Sequence, residues 1–324
     1  GWKLLMQPFA EQTVLLISMS VMLDLIIGDP KWLPHPVILF GKIIRTTEKA
    51  WNKGSRKKLK GIILAALLPF SIFIISLFLL KLLYAISYLL GTAIEIYLIS
   101  TTIAIKGLRD AAMEVYHPLK SGDLSEARKK LGFIVGRDTD VLPSPEVVRG
   151  TVETVAENTV DAIISPLFFA IIGGAPLALA YRAVNTLDSM VGYKNERFKD
   201  FGFGSARLDD LMNLLPARIC TVCMWLGSYF MKEMRRKHAI SITRRDASKH
   251  PSPNSGWPEA MTAGLLGVQL GGVNIYGKIV SERARLCDPL EPLSFIHIKK
   301  TILIMNGAWI LFLTGYFILF GLGR

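Results

Sequence analysis

The chain alternates long apolar runs with short polar ones. Stretches such as GIILAALLPFSIFIISLFLL (61–80) and TILIMNGAWILFLTGYFILF (301–320) hold about 20 residues each, the length an α-helix needs to cross the hydrocarbon core of a bilayer. Runs of this kind predict spans near 12–28, 61–80, 84–105, 213–231 and 301–322. The stretch 162–184 is also apolar, but Pro166, Gly173, Gly174 and Pro176 interrupt it, which predicts a broken helix, spanning or re-entrant. The expected fold is all-α: a polytopic integral membrane helical bundle, one membrane-embedded domain over 1–324, with broken or re-entrant helices and cytoplasmic helical loops.

The polar segments carry their own signals. GDPKWLPHPVILFGK (28–42) contains Pro30, Pro34 and Pro36 and predicts an extended, ordered loop. From 41 to 60, Lys42, Arg45, Lys49, Lys53, Arg56, Lys57, Lys58 and Lys60 stand against Glu48, which marks a cytoplasmic loop by the positive-inside rule. Residues 106–161 read as a polar helical loop. They predict a helix to Tyr116, a turn at HPLKSGD, a helix from Asp123 or Ser125 to Gly132, and a helix with Ser144 as N-cap and Pro145 at its first position. Pro258 is placed likewise, with Glu259 in the first helical turn. Thr13 to Ile27 contains Asp24 and no small-residue cleavage site, so a retained span is expected there in place of a signal peptide. Asp24 is then either a functional intramembrane charge or a bond to the neighbouring loop.

Of 324 residues 51% are hydrophobic and the net charge is +12, with the basic excess gathered in loops that flank apolar runs. The partner this favours is membrane lipid, and no nucleic acid is expected. Three cysteines cannot form a disulfide framework; Cys220 and Cys223 lie in an apolar run and read as small buried hydrophobes. With no triad spacing and no nucleophilic cysteine, positioning and charge neutralisation fit the chain better than covalent catalysis.

Candidate chemistry gathers between Pro145 and Asn213. Helical spacing puts Arg149, Glu153, Glu157 and Asp161 on one stripe, with Asn158 beside it. Tyr181, Asn185, Asp188 and Gly192 align on a second stripe, and Asp209, Asp210 and Asn213 group on a third. Oxygen ligands of this kind suit a hard cation and the phosphates it carries, and the competing reading is interhelical ion pairs and helix caps. Gly136, Arg137, Asp138 and Thr139 precede a proline-bounded helix start and suit a phosphate, as does the SPNSG loop at 252–256. GVNIYGK (272–278) has the outline of a phosphate loop, but Ile279 stands where Ser or Thr must meet magnesium, so it reads as coincidence.

Four runs carry a resemblance: DLIIGDPKWLPHPVILFGK (24–42), GRDTDVLPSPEVVRGTVETVAENTVDAIISPLFF (136–169), AYRAVNTLDSMVGYKNERFKDFGFGSARLDDLMNLLPAR (180–218) and SPNSGWPEAMTAGLLGVQLGG (252–272). In order and over nearly the whole chain, they resemble the CobD/CbiB family of cobalamin biosynthesis proteins, the adenosylcobinamide-phosphate or cobinamide synthases. The resemblance implies an integral membrane enzyme that uses ATP and Mg2+ to join adenosylcobyric acid to (R)-1-aminopropan-2-ol or its O-phosphate as an amide. On that reading Glu153, Glu157, Asn158 and Asp161 face magnesium and nucleotide phosphate, with Asn185, Asp188 and Asp209 as a second acidic wall. Glu157 and Asp161 count among the catalytic residues. Arg137, Thr139, Ser252 and Asn254 hold phosphate, and Arg207 or Arg218 stabilises the transferring group. His35 is either a general base or a loop-packing histidine between two prolines. The enzyme is expected in the cell membrane, multi-pass, with its active site on the cytoplasmic side, as a homo-oligomer or in complex with other corrinoid enzymes. The rivals are a transporter or sensor on the same scaffold and a non-catalytic assembly partner.

Overall fold

A computed structural model describes residues 2–30, 32–193, 195–277 and 279–321. The protein is 74% helical and has one small two-stranded sheet among the described residues. Four of the described helices are long and apolar enough to cross a membrane: Lys57–Ile86, Tyr88–Ser121, Ser144–Val191 and Ile296–Phe320. A fifth is added if the bent pair Phe203–Met212 and Leu214–Phe230 counts as one, and Gln12–Ile27 is a shorter apolar helix. Contacts divide the chain into two compact units.

The first unit comprises Gly1–Lys106, Asp161–Asn213 and Phe317–Arg324. It holds α1 (Trp2–Ile27), α2 (Pro36–Trp51), α3 (Lys57–Ile86), α4 (Tyr88–Ser100), α8 (Ser165–Val191) and α9 (Phe203–Met212). Phe40 and Ile44 of α2, Leu64 and Leu68 of α3, and Leu179, Ala183 and Leu187 of α8 form its core with Phe201. Leu67, Phe70, Ile75 and Phe78 on the other faces of α3 are exposed, which water would penalise and lipid accommodates. α3 and α4, where spans near 61–80 and 84–105 are expected, pack on one another across a break at Ser87, whose extended backbone and hydroxyl cap α4.

The predicted break in α8 falls at Gly173 and Gly174, whose backbone leaves the helical region. Gly174 sits at φ 64° and ψ −161°, a conformation open essentially to glycine. The freed N–H of Ala175 donates to Glu95 Oε1 at 3.3 Å, and Tyr84 donates to Glu95 Oε2 at 2.7 Å. Asp24 takes the capping role: its Oδ2 accepts the N–H groups of Ile105 and Lys106 at 2.9 and 3.2 Å, where the next helix begins.

The expected extended loop at 28–42 is corrected. α2 starts at Pro36, because proline at a first helical position loses only an N–H that has no partner there anyway. Much of the expected basic loop is therefore an amphipathic helix that buries Phe40, Ile44 and Glu48. Arg197 hydrogen bonds to Glu48 at 2.9 Å and holds its carboxyl below the usual range.

The second unit comprises Gly107–Val160 and Leu214–Tyr316. α5 (Ile105–Ser121) runs into it past the expected turn, with Pro118 inside the helix. α6 (Leu124–Gly132) is capped by Asp123, as expected, and α7 (Ser144–Thr159) begins with Pro143 as N-cap. α10 (Leu214–Gly227), α11 (Arg236–Asp246), α12 (Gly256–Leu266) and most of α13 (Ile296–Gly321) complete its helices. Cys220 and Cys223 are buried on α10. The sheet is a hairpin that the apolar periodicity does not reveal: β1 (Leu270–Tyr276) pairs antiparallel with β2 (Ile279–Leu286), from Leu270 opposite Leu286 to Tyr276 opposite Ile279. Gly277, at φ 63°, makes its turn, so the 272–278 outline closes a hairpin instead of opening a helix around phosphate.

Candidate functional site

The sequence-predicted polar residues fall into two sets, one in each unit. Where the chain re-enters the first unit it passes through a π-helical turn, Val160–Ile164, a device that frees backbone groups and recurs at functional sites. The Asp161 carbonyl accepts from Tyr181 OH at 3.2 Å and from Arg182 Nη1 at 3.3 Å. Asn185 Nδ2 bridges two carboxylates, Asp161 Oδ2 at 3.4 Å and Asp209 Oδ1 at 3.3 Å. Asn213 donates to Asp209 Oδ2 at 3.1 Å and accepts from Ser165 at 2.6 Å and Tyr181 at 3.0 Å. Asp188 bears on Asp209 electrostatically. Asp161, Asn185, Asp188, Asp209 and Asn213 make the set oxygen-rich, with the Arg182 guanidinium beside them. Among the described residues no three Asp, Glu, His or Cys side chains are grouped to hold a metal ion unaided. A magnesium ion that arrives on phosphates needs only one or two protein carboxylates, so this donor set suits it. Arg207 lies exposed over the Phe203 ring.

In the second unit Glu153 is bound up with cations. Its Oε1 accepts Arg149 Nη1 at 2.9 Å and the Gly271 N–H at 2.8 Å, and its Oε2 faces Arg137 Nη1 at 3.4 Å. Arg149 also bonds Glu146, and both arginines reach Asn274 Oδ1 on β1. Arg137, at 8% exposure, retains two buried N–H groups, Nε and Nη2, without an acceptor among the described residues. Burial pulls its guanidinium down from the ordinary range, and Glu153 works in the opposite direction. Asp138 ties its loop to the hairpin through Ile275 and Gly277, and Thr139 is buried nearby against Gly132. Asn158 bonds its own helix at Thr154.

Ser252 organises the turn before α12. Its hydroxyl accepts the N–H groups of Asn254 at 3.2 Å and Ser255 at 3.1 Å. Ser255 donates to Glu157 at 3.0 Å, and Arg218 holds Asn254 Oδ1 at 2.8 Å while stacking on Trp257. Two residues absent from the sequence-based candidates complete the set. His250 Nε2 and Glu259 Oε1 face each other at 3.6 Å, their side chains 6% and 2% exposed, and among the described residues neither atom has a hydrogen-bond partner. Burial, together with the charges of Glu153 and Glu157, pushes the Glu259 carboxyl well above its ordinary range, while Arg283 and Arg137 pull against it. Burial, with Arg283 nearby, lowers His250 to about 4. The sequence signal for Glu259 was masked, because an acid in a first helical turn already has a structural explanation.

His35 belongs to the first unit, and among the described residues its ring hydrogen bonds are local. Its Nδ1 accepts the Val37 N–H and its Nε2 meets Asp29 at 3.1 Å, so both ring nitrogens serve the loop it sits in.

Comparison with known proteins adds the family. The family model described as CobD/Cbib protein matches residues 17–305. A cobalamin biosynthesis protein CobD from Halalkalibacterium halodurans is 48% identical over 308 residues, 95% of this chain and 97% of the relative. Proteins of the same name from Geobacter metallireducens, 48% identical over 89% of this chain and 91% of theirs, and Klebsiella pneumoniae, 41% identical over 90% and 93%, align likewise. No solved structure matches.

Proposed function

The chain belongs to the CobD/CbiB family, and from that premise we propose that it catalyses ATP-dependent amide formation in cobalamin biosynthesis. The acid is adenosylcobyric acid and the amine is (R)-1-aminopropan-2-ol or its O-phosphate. The product is adenosylcobinamide or adenosylcobinamide phosphate.

The observation that carries this reading is the buried Arg137 guanidinium, with two N–H groups that have no acceptor among the described residues, set against α7 and β1. Orphan donors on a buried cation are costly unless an anion completes them. Phosphate is the anion that ATP and a phosphorylated carboxylate both present. In the first unit Asp161 and Asp209, joined through Asn185, would supply one or two oxygens to a magnesium ion, whose charge would neutralise a phosphate it carries. The substrate carboxylate attacks the γ-phosphorus, giving an acyl phosphate and ADP. The amine then attacks the carbonyl carbon, and the C–O bond to phosphate breaks as the amide forms.

The test uses the purified full chain in detergent with ATP, Mg2+, adenosylcobyric acid and each amine. Amide product that requires ATP and both organic substrates supports the synthase. Binding with vesicle uptake and no amide would support the carrier that a broken α8 could equally serve.

A further inference from the structure

His250 and Glu259 of the second unit bring a buried imidazole against a buried carboxyl. His250 Nδ1 accepts the Ser252 N–H at 3.0 Å, so a neutral ring carries its proton on Nε2 and offers a donor. Glu259 Oε1, 3.6 Å from it, offers an acceptor. Both atoms are buried, and they meet each other beyond hydrogen-bond distance with no hydrogen bond to any other described residue. A donor and an acceptor left open side by side define a ligand by complementarity. The ligand must present one strong donor and one acceptor on neighbouring atoms. A 1,2-amino alcohol, protonated on nitrogen, does this: its ammonium donates and its oxygen, free or phosphorylated, accepts.

We propose that the His250–Glu259 pair receives the amine substrate, Glu259 binding the ammonium and taking its proton while the Nε2–H of His250 holds the oxygen on the adjacent carbon. This assignment rests on the amide-forming function proposed above and locates one of its substrates.

The chemistry closes. An ammonium supplies the counter-charge that a buried carboxylate lacks, so its arrival lets Glu259 ionise. One ammonium proton passes first to Glu259 Oε1 and frees the nitrogen lone pair; the amine then attacks the acyl carbon, the C–N bond forms, and phosphate leaves with the electron pair of the C–O bond and takes up the second nitrogen proton. The elevated proton affinity of Glu259 suits this acceptance, since a carboxylate of ordinary strength is a poor base toward an amine. Arg283 and Arg137 bear on Glu259 from the same unit, and Glu153 and Glu157 oppose them.

The experiment compares wild type with Glu259→Gln and His250→Asn in two reactions. In the first, hydroxylamine replaces the natural amine and traps the acyl phosphate as a hydroxamate. In the second, 1-aminopropan-2-ol and propylamine compete as acceptors. The expected result is that Glu259→Gln forms hydroxamate within about twofold of wild type but loses amide formation by roughly 100-fold or more, the size of a general-base contribution. His250→Asn is expected to erase the wild-type preference for the amino alcohol over propylamine, while its hydroxamate rate holds. Normal amide formation by Glu259→Gln overturns the proposal, and so does equal loss of hydroxamate and amide in both variants, which marks a purely structural pair. A wild type that makes neither product refutes the amide synthase itself and leaves the pair to another ligand.

Discussion

Gly150 and Arg137 pack so closely that a side chain at 150 would collide with the guanidinium: a Cβ there would fall on Arg137 Nη2 and 3.2 Å from Leu131 Cδ2. Glycine in a helix interior costs about 1 kcal/mol relative to alanine, so the exchange would ordinarily stabilise α7. Here it would displace the cation that Glu153 and Asn274 hold. Gly150→Ala is expected to lower ATP-dependent turnover at least about 10-fold with helix content unchanged. Circular dichroism beside an ADP-release assay checks it, and a variant with full activity would show that the position of Arg137 is immaterial.

Gly174 concerns the fold rather than the chemistry. A Cβ at this position would stand 2.6 Å from Glu95 Oε1, on a backbone with φ 64°. Gly174→Ala is expected to destabilise the protein by about 2 kcal/mol or more, from backbone strain and the lost Glu95–Ala175 bond. Thermal unfolding in detergent measures this, and an unchanged midpoint would mean that the break in α8 is not required.

Asp209 shares Asn185 with Asp161 and takes a second amide from Asn213. Asp209→Asn keeps the shape and removes the charge. The half-saturating magnesium concentration of the ATP-dependent reaction is expected to rise at least about 10-fold, with the KM for the corrinoid acid little changed. A magnesium titration of the variant checks this; an unmoved midpoint would take the metal away from the first unit.

His250 makes a pH prediction. Its folded value, about 4, lies below the unfolded 6.5, so the neutral ring contributes stability above pH 6.5. That contribution is lost as pH falls through 4, because the unfolded chain takes up a proton that the folded chain refuses. The full difference amounts to about 3 kcal/mol. Between pH 7.5 and 5 the unfolding midpoint of wild type should fall more steeply than that of His250→Asn. Parallel curves would mean that the ring titrates normally.

Much of this molecule was readable before folding, where one force dominates. Runs like 61–80 have little outcome open to them except a span, and the Gly173-Gly174-Pro176 sequence marks where a helix must break. Other features turn on contacts between distant positions. Pro36 looks like a breaker until its place at the first helical position is known. The hairpin escaped the apolar pattern because β1 reverses it: Val273 and Ile275 are exposed, while Asn274 is buried to meet Arg137 and Arg149. The stripe of Arg149, Glu153 and Glu157 was visible as helical spacing. Which of its acids would be neutralised was not, since Arg137 and Gly271 approach from elsewhere in the chain. His250 and Glu259 meet only because the Ser252 turn brings a loop residue against the first turn of α12.

The central claim, that ATP activates the corrinoid carboxylate by phosphorylation, is tested most directly by isotope transfer. Adenosylcobyric acid labelled with 18O in its free carboxylate is converted with ATP and aminopropanol by the purified protein, and the released inorganic phosphate is analysed by mass spectrometry. The account predicts one 18O atom in each phosphate formed per amide. Amide formation with unlabelled phosphate, or ATP hydrolysis without amide, would contradict it.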